Sequence, residues 1–238
     1  MARTTWLCLA LLALLCGCAE VDPYRRAPEA PAPGLTAEAA TAAFNDRWPA
    51  QFKCVQTVTL DFGPVTRTLV GYLVVQRPGR FRLQGMTEQG LKVFELVGDG
   101  DATRTIFAAD DMQDAVLQNI ARDIRRVFLA AATPAATAEF EAGECGARLQ
   151  LRTTGSTQRI TMVGQPPAVD EYELFLGGRR AYRVNQYEWK RNRPEVIVLR
   201  ETGRESKGPP YKLTIRITEF TERATPWPVK VFAHREKP

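Results

Sequence analysis

The sequence predicts a mainly β (α+β) domain: a single strongly curved antiparallel sheet with an amphipathic helix covering its concave face. Three observations carry this. Short segments rich in Val, Thr, Phe and Leu recur between turn signals from residue 52 onward. One long helical stripe, at residues 111–131, interrupts them. No repeat or second linker divides the chain, so the strands share one domain. A run of strands with one strong helix cannot bury both faces of everything. Curving the sheet around the helix is the economical solution.

The chain opens with MARTTWLCLALLALLCGC. Arg3 supplies a basic start, and Leu7 to Leu15 is an apolar stretch too short to span a bilayer as a helix. Leu15-Cys16-Gly17-Cys18 resembles a lipobox, which implies cleavage after residue 17 and acylation of Cys18. Residues 1–17 are therefore expected to be a lipoprotein signal peptide. Residues 18–35 follow as an acylated, Pro-rich tether with Pro23, Pro28, Pro31 and Pro33. The folded domain is expected over 36–238. Several acyl chains on Cys18 would hold the protein stably at a membrane. Ala19, where enterobacterial inner-membrane lipoproteins carry Asp, implies the periplasmic face of the outer membrane.

The domain begins with a helix at 36–47, alanine-rich and with Thr36 as its N-cap. Strands are expected at Phe52–Phe62, Thr66–Gln76, Arg80–Gln84, Leu91–Val97 and Arg104–Phe107. The turns between them include Arg77-Pro78-Gly79 and Gly98-Asp99-Gly100. In the helix at 111–131, Met112, Val116, Ile120, Ile124 and Phe128 recur at i+4, widened by Leu117 and Val127. Asp110 or Asp111 can cap its start. Arg122, Arg125 and Arg126 lie together on its outer side, as a solvated basic face or a contact for lipid phosphates. Strands resume at Arg148–Arg152, Arg159–Met162, Glu171–Leu176, Ala181–Trp189, Glu195–Arg200, Tyr211–Phe220 and Val229–Ala233.

Several chemistries are disfavoured. The chain has one histidine, His234, in a charged tail, and two serines, Ser156 and Ser206. Ser-His-Asp and Cys-His catalysis and His-built metal sites lack their parts. Asp99, Asp101, Asp110 and Asp111 do not follow a calcium-loop pattern. Gly98-Asp99-Gly100 lacks the third glycine of a phosphate loop. Glu171 with Glu173, or Glu195 with Glu201, could in principle serve a glycosidase, but ordinary surface strand positions explain them. The net charge of +5 is a mild excess, and with an export signal and no recognisable motif it gives no nucleic-acid partner. No catalytic residue, metal or cofactor is therefore assigned.

With the leader removed and Cys18 acylated, Cys54 and Cys145 remain. They either form a disulfide, worth about 4–5 kcal/mol in the chain-entropy model, or stay as two buried thiols.

Arg80-Phe81-Arg82-Leu83, the turn Thr87-Glu88-Gln89-Gly90 and Phe94-Glu95-Leu96 resemble a strand–turn–strand of the lipoprotein-localisation factors LolA and LolB. Phe107-Ala108-Ala109-Asp110-Asp111 resembles the approach to their lid helix. A LolB-related branch of outer-membrane lipoproteins fits best. The resemblance implies an open half-barrel of about 11 strands with a helical lid, no enzymatic activity, and a cavity for acyl chains of a lipid or lipoprotein. Such a role would bring in a periplasmic carrier protein as a partner. The cavity would be lined by Leu73, Phe81, Leu83, Phe94, Leu96, Met112, Val116, Ile120, Ile124 and Phe128. The alternative fate of this stripe is a filled core in a structural or adaptor lipoprotein. One departure stands out: where LolB presents a protruding leucine in its turn, this chain offers Gln89, with Leu91 expected inside the next strand.

Overall fold

The computed structural model describes residues 24, 30, 33–110, 112–133, 135, 137–144, 146–190, 193–203 and 209–233. The leader, Cys18, Asp111, Cys145, Ser206 and His234 lie outside the described residues.

Helix α1, Ala37–Asp46, starts as expected: the Thr36 hydroxyl accepts a hydrogen bond from the Ala39 amide at 3.2 Å. Five antiparallel strands follow: β1 Gln51–Phe62, β2 Val65–Gln76, β3 Arg80–Met86, β4 Lys92–Asp99 and β5 Ala102–Ala108. Helix α2 spans Asp114–Ile124 and runs on into a π-helical turn, Arg125–Leu129. Seven strands complete the chain: β6 Thr137–Gly143, β7 Gly146–Thr153, β8 Ser156–Val163, β9 Ala168–Leu176, β10 Arg179–Lys190, β11 Arg193–Glu201 and β12 Tyr211–Glu222.

All twelve strands form one open sheet in the order β5-β4-β3-β2-β1-β12-β11-β10-β9-β8-β7-β6. The β1–β12 pairing joins the two meanders, so β5 and β6 are the free edges. The number of strands equals the twelve segments expected along the sequence, but β6 takes the place of the last of them. The segment expected as a last strand at Val229–Ala233 is instead a short 3-10 turn, Val229–Val231. It lies on the convex face, where Arg82 donates to the Val231 carbonyl at 2.7 Å. Pro226 and Pro228 beside it lack the amide that a ladder needs.

Two helices, not one, cover the concave face. α1 buries Ala40 and Phe44 against β6, β7 and β9, while α2 packs toward β4 and β5. The expected cap of α2 is also corrected. Its N-cap is Gln113, with no side-chain hydrogen bond, so Asp110 does not serve. On the convex face, Tyr24 of the tether rests on Tyr187 with ring centroids 5.8 Å apart, above Val196 and Val198.

Leu91 departs from expectation. A register shift between Gly85 and Met86 pairs Met86 with Lys92 and leaves Val93 as the extra residue. The ladder ends at Met86↔Lys92, and the Thr87 amide donates to the Leu91 carbonyl at 2.8 Å to close the turn. Leu91 falls in the turn and is 68% exposed.

Candidate functional site

The concave face has a closed part and an open part, and different residues make each. In the closed part, Trp48 stacks on Phe52 at 5.6 Å and meets Phe128 at 5.1 Å, while Phe52 stacks on Phe220 at 5.0 Å. The π turn leaves carbonyls outside the regular helical ladder, and side chains collect them. The Trp48 indole donates to Val127 O at 3.0 Å, Arg47 donates to Ala130 O at 2.8 Å, and the Tyr172 hydroxyl donates to Arg126 O. Asn45 and Gln158 accept from the amides of Ala132 and Thr133. The C-terminal end of the lid is thus fastened to α1, β8 and β9.

A buried charged network joins the C-terminal end of α2 and the π turn to the opposite wall. Arg126 pairs with Asp123 at 3.0 Å and with Glu201 on β11 at 3.9 Å, and its guanidinium lies 4.6 Å from the Tyr182 ring centre. The Tyr211 hydroxyl on β12 donates to Asp123 at 2.7 Å. This overturns the expected outer basic face for Arg126, which is only 5% exposed. Arg125 is also engaged: it donates to the carbonyls of Gly100 and Ala102.

Burial is the largest influence on Asp123 and pushes its carboxyl up to about 6, against the pull of Arg126, Tyr211 and Arg122. The folded protein therefore holds this proton between its ordinary value near 3.8 and about 6. Stability from the group is fully present below that window and is lost as pH rises through it. We expect wild type to lose about 1–3 kcal/mol relative to Asp123→Asn between pH 4 and pH 7.5, measured by urea unfolding of both proteins. A pH-independent difference would refute the assignment.

The open part is the inner face of the β1–β2 hairpin. β1 and β2 pair without interruption from Gln51↔Gln76 to Phe62↔Val65. Strand alternation then puts Val58, Leu60, Phe62, Val65, Arg67 and Leu69 on the same face as the buried Cys54 and Leu73. Leu213 on β12 pairs with Leu60 and extends the row. Phe62 and Val65 are 42% and 47% exposed. An apolar wall therefore continues out of the core and is left largely uncovered at its tip.

The expected cavity residues divide between these two parts. Leu73, Phe81, Leu83, Phe94, Leu96, Ile124 and Phe128 come together in one buried core, under α2 and the aromatic rings. Met112 and Ile120 are half-buried against it, and Val116 is 37% exposed. The physical reason is helical phase. Each i+4 step overshoots a 3.6-residue turn by about 40°, so Val116, two such steps before Ile124, is turned about 80° away from it. The face turned to the core is Leu117, Ala121, Ile124 and Phe128. Cys54 is a buried free thiol that burial pushes up to about 12; its expected partner Cys145 lies outside the described residues.

The carboxylates considered for catalysis are engaged with cations. Burial favours the neutral form of Glu173, but hydrogen bonds and charge from Arg183 and Arg180 outweigh it and hold the group below the ordinary carboxylate range. Arg159 adds a contact at 3.2 Å. Glu195 pairs with Lys190, and Glu201 with Arg126. Sequence reasoning missed Trp48, Asp123 and Tyr211. It also missed the inner hairpin wall, whose signal was present in the alternation Val58, Leu60, Phe62.

No family model matches the chain, and no curated protein matches it. Solved structures do. A LolA superfamily protein from Nitrosomonas europaea aligns with a TM-score of 0.57 at 11% identity, covering 84% of this chain and 98% of the other. A putative outer membrane lipoprotein-sorting protein domain from Vibrio parahaemolyticus aligns at a TM-score of 0.47 and 8% identity, covering 79% and 94%. A DUF1329 family protein from Desulfovibrio piger aligns at 0.47 and 10%, covering 88% and 98%. No helix among the described residues is long and apolar enough to cross a membrane.

Proposed function

We propose, from the premise that this chain has the LolA/LolB-like fold, that it binds acyl chains of a lipid or lipidated protein on the inner face of its open sheet. On this reading it is a carrier or acceptor in lipid or lipoprotein transport, and it performs no catalysis. Acylated Cys18 would hold it to the periplasmic face of the outer membrane. A periplasmic carrier would be its natural donor.

The uncovered apolar wall of the β1–β2 hairpin carries the proposal. Each ligand methylene buried there gains about 0.8 kcal/mol, so one acyl chain is enough for useful affinity. The half-buried Met112 precedes α2, at the end away from its fastenings, where a chain could slide beneath the lid. Leu91 supports an acceptor role, since an exposed leucine in this turn is what the resemblance to LolB calls for.

A fluorescent fatty acid should bind the full-length protein and be displaced by unlabelled acyl lipids. Leu60→Glu should weaken binding by at least about tenfold, because the acyl chain would then desolvate a carboxylate. Failure to bind any acyl probe would sink the proposal. It would favour the second reading, a structural or adaptor lipoprotein, which the packed rings around Trp48 support.

A further inference from the structure

The convex face carries an apolar cluster that the concave core does not include. Strand alternation sets Tyr187 of β10 and Val196 and Val198 of β11 on this outer face. Tyr187 pairs with Val196, which pairs with Arg216 of β12, so the four strand residues form one patch. Tyr187, Val196 and Val198 are buried, and the partly buried residue packed against them is Tyr24, which lies ahead of α1 in the tether.

Charged groups hold the same ring. The Tyr187 ring centre lies 5.8 Å from that of Tyr24, and the Arg216 guanidinium lies 5.7 Å from it. Glu188 pairs with Arg216 at 2.9 Å. Alternation alone would turn Glu188 to the concave side, with Val184 and Gln186. Instead it has a φ of +54°, the only positive φ outside glycine among the described residues. A left-handed glutamate costs free energy and persists only where its surroundings hold it. Here it carries the carboxylate round to the convex side. Hydrogen bonds from Glu188 first and Tyr24 second raise Arg216 above the ordinary arginine value.

We infer that this patch is a docking site for the chain's own tether, with Tyr24 seated on Tyr187, Val196 and Val198 and clamped by Arg216, which Glu188 orients. The inference goes beyond the acyl-binding reading and does not depend on it. It divides a segment that its proline content would leave as a plain spacer. Measured back from α1, a free extended tether lets residue 18 range about 65 Å. Measured back from a docked Tyr24, the reach is about 21 Å. The tether then leaves the sheet on the face opposite the apolar hairpin wall. An acylated Cys18 would be kept near β10–β12, and anchor and cargo would occupy different sides of the sheet.

Trypsin tests the docking, because Arg25 and Arg26 directly follow Tyr24. A protease needs the chain around its cut undocked, so cleavage reads local opening. In the full-length protein, release of the N-terminal fragment by cleavage at these two arginines, followed by mass spectrometry, should be at least about tenfold slower than cleavage of a synthetic peptide of residues 19–34. Tyr24→Ala changes only the tether and should bring the rate to within about threefold of its own matched peptide. Arg216→Gln should speed release at least about threefold, with the thermal unfolding of the domain unchanged. A wild-type rate equal to the peptide's, or a Tyr24→Ala rate equal to wild type's, would overturn the docking. An Arg216→Gln protein that keeps full protection would overturn the clamp. None of these outcomes bears on acyl binding, which the fatty-acid assay reads separately.

Discussion

Arg126→Met is expected to lower the unfolding free energy by about 3–5 kcal/mol, since it strips the counter-charge from buried acids. Methionine fills much of the arginine stem's volume, so the loss reports charge more than packing. Asp123 would keep the Tyr211 hydroxyl at 2.7 Å and the charge of Arg122, and the arginine 3.9 Å from Glu201 would be gone. Both acids are nearly inaccessible, at 5% and 2% exposure, so water cannot take over. The triple variant Arg126→Met/Asp123→Asn/Glu201→Gln should recover more than half of the loss, because the buried charges leave together. Urea unfolding of the three proteins at pH 7.5 checks this. A cost under about 1 kcal/mol for the single variant would mean the network does not hold the lid.

Trp48→Ala should cost a similar amount, about 3–5 kcal/mol, for a different reason. Trp48 is 1% exposed and touches Phe52, Phe128 and Phe220, which come from β1, the π turn and β12. Alanine would leave a cavity at the junction of the sheet's two meanders. It would also leave the Val127 carbonyl, which accepts from the indole at 3.0 Å, with only the Tyr172 hydroxyl at 3.5 Å. Trp48→Phe separates the two effects. It keeps most of the ring contact and should cost only about 1–3 kcal/mol for the lost hydrogen bond and the smaller ring. If Trp48→Ala unfolds within about 1 kcal/mol of wild type, the rings do not form a cooperative core. That result would favour a looser, more easily opened concave face.

Elements set by local interactions are legible in the sequence. Thr36 caps α1 because a side-chain oxygen before an alanine-rich run is a local arrangement. The strands from β1 to β5 follow from alternation between glycine and proline turns. β6 was illegible because it is an edge strand whose only half-buried side chain is Phe140, so burial leaves almost no pattern in Thr137–Gly143. The 3-10 turn at Val229–Val231 has the composition of a strand, yet β1 already has two partners and both edges lie elsewhere. Arg126 looked external on a regular helix. The π turn that begins at Arg125 changes the phase there, and the side chain turns into the core.

The sequence by itself determined the class of fold and the order of its strands and helices, apart from β6 and the turn at Val229–Val231. Each of these rests on composition or on interactions within a few residues. Only the tertiary structure decided which helix face meets the core, that the expected cavity lining is packed in its deeper part, and that an apolar wall stays open at the β1–β2 hairpin. It alone brought Asp123, Glu201 and Tyr211 to Arg126, from positions as far apart as residues 123 and 211. Such contacts are set by how far the sheet curves and where the lid crosses it. Those quantities emerge from the whole set of pairings and from no single segment.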